Sequence, residues 1–301
     1  MNQSSQKNGI ILVALAYVFW GFLPIYWKLA DRVSAGEILA HRIIWSFVFM
    51  ALLVTVTVKW RPFITECKAI IHDKRKLLGI TCASIVISLN WLTYIWAVNA
   101  NHVIQASLGY YINPLVSVLL GIIFLKESLT RRQILSVVLA AAGVIYLTIS
   151  YGVFPWISLV LAITFGLYGL LKKTVDISAM FGLTVETLVV TPIALIYLAF
   201  LPVQAFHFHS LFTGTNMLLM GAGVATAIPL LLFAAGTKTI PLSLVGFLQY
   251  IAPTIMLLLG VFLYDEPFTV AHMIAFSLIW FALIVYLASI YRPKKQSMQE
   301  H

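Results

Sequence analysis

Three ionisable residues stand together in the run EILAHRIIWS: Glu37, His41 and Arg42. On a helix Glu37 and His41, four apart, share a face, while Arg42 lies about 140° round from Glu37. Glu186 is a further acid inside an apolar run. Charged groups in such surroundings are costly, so each is a candidate counter-charge for a solute or a candidate proton carrier. For Glu37 a shallow, solvated position is the alternative. Histidine titrates near neutral pH unaided, which makes His41, with Glu186, a candidate for proton coupling. Amides form a second set. Gln105, Gly109, Asn113, Ser117 and Gly121 recur every four residues, a helical row that drifts by about 40° per step. Gln105 and Asn113, with Gly109 between them, are expected to hydrogen-bond a solute, whereas Ser117 and Gly121 read as close helix packing. Asn90 and Tyr94, one turn apart, would present an amide and a hydroxyl together, to a solute or to the core. Gln249 and Tyr250 are the matching candidates late in the chain, and Trp20 and Tyr26 flank Pro24 early in it.

Catalytic patterns do not emerge. No His-Glu-x-x-His, Gly-x-Ser-x-Gly or Walker sequence occurs. Gly221-Ala-Gly223-Val-Ala-Thr226 begins like a dinucleotide fingerprint but ends wrongly and follows no strand. His207 and His209 lack further ligands for a metal. Neither an enzyme nor an ATP-driven pump is expected, and no cofactor or metal.

These residues must be positioned by elements that composition dictates. Of 301 residues, 61% are apolar and 10% charged, against about 25% charged in a soluble domain. About 20 apolar residues span a bilayer, and the chain divides into ten such runs, near 9–29, 36–58, 77–98, 102–125, 132–150, 153–171, 180–200, 212–234, 241–263 and 271–291. The fold class is therefore an all-α polytopic membrane protein, with the lipid bilayer as its first partner. The first run is expected to be retained rather than cleaved as a signal peptide, and Cys67 and Cys82 are expected to stay unpaired. WRPFITECKAIIHDKRK, 60–76, reads as a short amphipathic helix at the membrane surface.

The net charge of +9 has a better cause than a nucleic-acid partner. With ten spans and the amino terminus inside, 16 of the 19 Lys and Arg residues fall in cytoplasmic segments, and only Lys28 and Arg32 outside. That is the positive-inside bias, with both termini cytoplasmic.

The chain also repeats itself. LGYYINPLVSVLLGIIFLKESLT, from Leu108, recurs 139 residues later as FLQYIAPTIMLLLGVFLYDEPFT, with eight identities in 23 positions. Pro114 and Pro253 coincide, as do Glu127 and Glu266, which are expected to cap the helices that follow. Pro114, Pro253 and Pro24 are candidate hinges, since each removes a backbone hydrogen bond. Five spans per half, 9–150 and 153–291, would enter the membrane in opposite senses. Inverted repeats usually mean alternating access around a midplane site. The amide row is not repeated: Ala252 replaces Asn113, and Gln249 sits on a different row. The pocket is thus expected to be asymmetric and to suit a small organic solute rather than a bare ion.

EILAHRIIWS at 37–46, NWLTYIWAVNANHVIQASLGYYINPL at 90–115 and FLQYIAPT at 247–254 resemble the RarD group of EamA-type drug/metabolite transporters. The resemblance implies a ten-helix secondary transporter of the bacterial inner membrane. It also implies a cavity lined by spans 1–4 and 6–9, with spans 5 and 10 set aside. It does not state a substrate, and oligomeric state is not legible.

Overall fold

The computed structural model describes residues 3–30, 32–57, 60–99, 103–152, 154–207, 209, 212–264 and 268–290. The chain forms α1 (Gln3–Leu29), α2 (Ala35–Thr57), α3 (Trp60–His72), α4 (Lys74–Asn99), α5 (Val103–Leu125) and α6 (Arg131–Tyr151). It continues with α7 (Trp156–Thr174), α8 (Ala179–Phe200), α9 (Gly214–Thr237), α10 (Leu242–Gln249), α11 (Ile251–Leu263) and α12 (Val270–Ile290). Among the described residues there is no strand. Ten spans among these residues are long and apolar enough to cross a membrane, α10 and α11 together making the ninth. The short α3 is the surface helix expected from the sequence: its only fully buried residue is Ile70, in a segment otherwise rich in charge.

Continuous spans are what the bilayer demands, because backbone groups there have no water to bond. The two repeated prolines meet that demand differently. Pro114 lies within an uninterrupted α5. Pro253 follows a one-residue interruption at Tyr250, whose N–H turns back to the Phe247 carbonyl at 3.3 Å.

The spans alternate in direction, so one end of the bundle, here the basic end, collects the starts of α1, α4, α6, α8 and α10. The larger contacts join the two halves. α5 packs on α7, and α1 on α10 and α11; α2 packs on α9, and α4 on α8; α1 packs on α9, and α4 on α7. α2 meets α8, α5 meets α10, and α6 meets α12. Exchanging each span with the one five later turns this set of partners into itself.

Small residues permit the closest approaches. A Cβ on Gly246 of α10 would lie 2.6 Å from the Pro114 carbonyl oxygen of α5. One on Gly223 of α9 would collide with the α2 backbone at Trp45 and Ser46, where Ser46 Oγ donates to the Gly223 carbonyl at 3.0 Å.

Caps depart from expectation at Glu127. α6 is capped by its own Thr130, with Gln133 completing a capping box. Glu127 reaches across the halves instead, accepting from Leu242 N at 2.6 Å and Ser243 N at 2.9 Å. Those are orphan donors at the start of α10, where Pro241 offers no side-chain cap. Glu266 lies outside the described residues. Cys67 and Cys82 are free.

Candidate functional site

A cavity of about 400 Å³ opens in the half of the bundle away from the basic end. Its walls come from α1, α2, α4, α5, α7, α9 and the α10–α11 span, and it reaches the exposed Lys28. α8, the seventh span, supplies no lining residue, unlike the set implied by resemblance; α6 and α12 supply none either.

Arg42 is the charged group within it. The α2–α9 contact at Gly223 brings α2 against Thr226, and Arg42 Nε donates to Thr226 Oγ1 at 3.0 Å. The guanidinium carbon sits 4.7 Å from the ring centroid of Trp27 and 5.2 Å from that of Trp91. Such cation–π contacts attract the guanidinium to both indole faces. Among the described residues no carboxylate lies within ion-pair distance of Arg42.

The amides divide by task. Asn90 donates to the Leu161 carbonyl and to Thr164 Oγ1, both at 2.9 Å, so it ties α4 to α7 while bordering the cavity. Asn113 and Gln249 also border it, and their side-chain oxygens have no hydrogen-bond partner. A buried acceptor left unpaired costs about 1–3 kcal/mol, a cost natural cores avoid unless a ligand or conformational change answers it. The Tyr94 and Tyr110 rings lie edge to face at 6.0 Å.

The floor toward the basic end is aromatic. Tyr17 and Trp20 of α1, Phe165 and Tyr168 of α7 and Phe233 of α9 form one group, with centroid distances of 5.3 Å (Tyr17–Trp20), 5.5 Å (Phe165–Phe233) and 6.0 Å (Tyr168–Phe233). Behind it Lys172 Nζ lies 2.6 Å from Glu186 Oε1, and Tyr168 OH donates to Glu186 Oε2 at 3.2 Å. Lys173 donates to the Ile240 carbonyl at 2.5 Å and Lys238 to that of Ile177.

Of the residues singled out from sequence, Trp20, Pro24, Arg42, Asn90, Tyr94, Gly109, Asn113, Gln249 and Pro253 line the cavity. Tyr26 does not: its hydroxyl donates to the Leu218 carbonyl of α9, at a close contact with Gly221. Tyr250 is buried in the core, its hydroxyl without a partner, and Pro114 faces α10. Gln105 falls in α5, but its side chain lies outside the described residues. Glu37 is not solvated; it is buried and accepts from Ala205 N at 2.6 Å and Phe206 N at 3.2 Å, anchoring the loop before α9. His41 stacks on Phe206 at 4.8 Å, with Nε2 4.0 Å from Glu37. Glu186 belongs to the Lys172 pair and not to the cavity. No metal-binding cluster occurs among the described residues.

Trp91, beside Asn90 and Tyr94 in the third span, also lines the cavity. Sequence alone does not single out Trp27, Tyr110 and Thr226. The first two have a usable signal: each falls within three residues of a candidate. Thr226 has none, since only the α2–α9 contact brings it to Arg42.

Residues 7–149 match the EamA-like transporter family model. The chain is 50% identical over 298 residues to an uncharacterized transporter, YojE, of Bacillus subtilis (strain 168), covering 99% of each chain. The chain belongs to the EamA-like transporter family. It is 40% identical to protein RarD of Escherichia coli (strain K12), over 99% of this chain and 100% of that one. A solved crystal structure with 17% identity superposes with a TM-score of 0.71, over 97% of this chain and all of the other, and shares the fold. The chain is thus a multi-pass membrane transporter with bacterial relatives, not an enzyme.

Proposed function

We propose that this EamA-like transporter carries a small organic metabolite or drug outward across the bacterial inner membrane, as a secondary transporter working by alternating access. The observation that carries the reading is the cavity of about 400 Å³ between the halves, closed toward the basic end by aromatic rings. The basic end is the cytoplasmic one, by the distribution of Lys and Arg, so the structure is the outward-open state. Two inverted five-helix repeats, 9–150 and 153–291, move against one another; the exchange of helix partners under a shift of five spans supports this division. Arg42, Asn113 and Gln249 bind the solute, Trp20, Tyr94 and Gly109 shape the site, and Asn90 both shapes it and fixes α4 to α7. The open side-chain face of Asn113 makes Gln105, one turn pair earlier on the same row, a further candidate.

Energy comes from the gradient of the solute or of an ion. The test is flux through the purified chain in ATP-free liposomes, using solutes first found by comparing metabolites of cells lacking and overexpressing it. Flux should persist without ATP, and Asn113→Leu should lower it by about five- to a hundredfold, the effect of losing about 1–3 kcal/mol of solute hydrogen bonding. An ATP requirement overturns the secondary-transport reading.

A further inference from the structure

We infer that the transported solute is an organic anion, a carboxylate on a flat, largely apolar body; this rests on the reading of the cavity as the transport site. The first ground is charge. Two carboxylates are buried in described spans, and both are engaged elsewhere: Glu186 with Lys172, and Glu37 with the backbone of Ala205 and Phe206. Among the described residues no acidic side chain lines the cavity, whereas Arg42 does and Lys28 stands at its rim, with its ammonium 3.4 Å from the Tyr264 centroid. A membrane cation left without a counter-charge is expensive, and a solute that brings the charge relieves it.

The second ground is geometry. Arg42 spends Nε on Thr226, and its guanidinium carbon lies over the rings of Trp27 and Trp91. The terminal nitrogens make no hydrogen bond among the described residues. A held guanidinium with a free fork matches a carboxylate in two parallel bonds, which a point-charge ammonium cannot offer.

The third ground is size and lining. A cavity of about 150 Å³ holds a benzene ring, so about 400 Å³ suits a body of roughly fifteen non-hydrogen atoms. Its remaining walls are largely apolar, with aromatic rings at Trp20, Tyr94, Tyr110 and Phe165. A halide or bare phosphate would answer Arg42 and leave those walls unfilled.

Three probes with one ring system separate the charge from the body: indole-3-acetate, indole-3-acetamide and tryptamine. Their binding to the purified, full-length chain is measured by titration calorimetry. The acetate should bind at least about tenfold tighter than the amide, with the amine weakest. Arg42→Gln should abolish that order, and Arg42→Lys should weaken the acetate while keeping the order. Met256→Trp, which narrows the cavity away from Arg42, should weaken every probe. Equal or tighter binding of the amide or amine, an order unchanged in Arg42→Gln, or no binding by any probe overturns the inference. If the neutral probe binds best and Met256→Trp blocks it, the cavity reading stands and only the anion assignment falls. If binding ignores both Met256→Trp and Arg42→Gln, the cavity reading falls as well.

Discussion

Lys172 and Glu186 illustrate how a residue's role depends on a partner that sequence distance conceals. In the sequence Glu186 stands out because acids are rare in apolar runs, whereas Lys172 reads as one of the cytoplasmic charges that follow a span. They are 14 positions apart on different helices, so no helical spacing joins them; the structure pairs them at 2.6 Å, both buried, with Tyr168 as a third member. Breaking a buried pair from one side leaves a charge without compensation, at about 3–5 kcal/mol, whereas apolar replacement of both is often neutral. Glu186→Leu and Lys172→Met should each lower the melting temperature in detergent sharply, and the double variant should recover most of the loss. Additive losses in the double variant would show that the two groups act independently. The arginine was easier to single out, because its depth alone made it a candidate; its indole neighbours and Thr226 follow from helix packing and were not legible.

Helices show the same proline read two ways. Pro114 and Pro253 occupy matching places in an ungapped repeat, and a sequence can say only that each removes one backbone hydrogen bond. α5 stays continuous, while the second copy breaks at Tyr250 into α10 and α11. The cap on α10 comes from Glu127 in the other half, which the sequence assigned to the following helix. Both outcomes depend on how α5 and α10 meet, and that contact is set by Gly246, whose missing Cβ admits the Pro114 carbonyl. Backbone cannot move aside as a side-chain tip can. Gly246→Ala should therefore push α10 from α5 and destabilise the protein by about 1–3 kcal/mol, the usual range for overpacking. Gly214→Ala, at a helix start with nothing within 4 Å of the added carbon, is the control and should melt like the parent. An unchanged melt for Gly246→Ala would mean that α5 and α10 are not held at this separation.

At the scale of the whole chain, ten spans and the interfacial helix α3 were legible because both are consequences of composition. The aromatic floor was not, for it brings together α1, α7 and α9, whose order of packing no local pattern encodes. Orientation is a matter of charge alone. KESLTRR carries three basic residues after the fourth span, and its counterpart DEPFTVA carries none after the ninth. Five spans separate the two, an odd number, so the loops must lie on opposite sides, and the positive-inside bias assigns the first to the cytoplasm. In the proposed orientation the cavity is outward-open and the Lys172–Glu186 end cytoplasmic, so the orientation bears on the direction of every transport step. Reporters fused after residues 70, 130, 172, 238 and 300 should give cytoplasmic signals, and those after 102, 151, 207 and 266 the opposite. Residue 266 decides most, because the inverted arrangement requires it to face away from residue 130. A cytoplasmic signal there would remove the inverted repeat and, with it, the assignment of the cavity to the outer side.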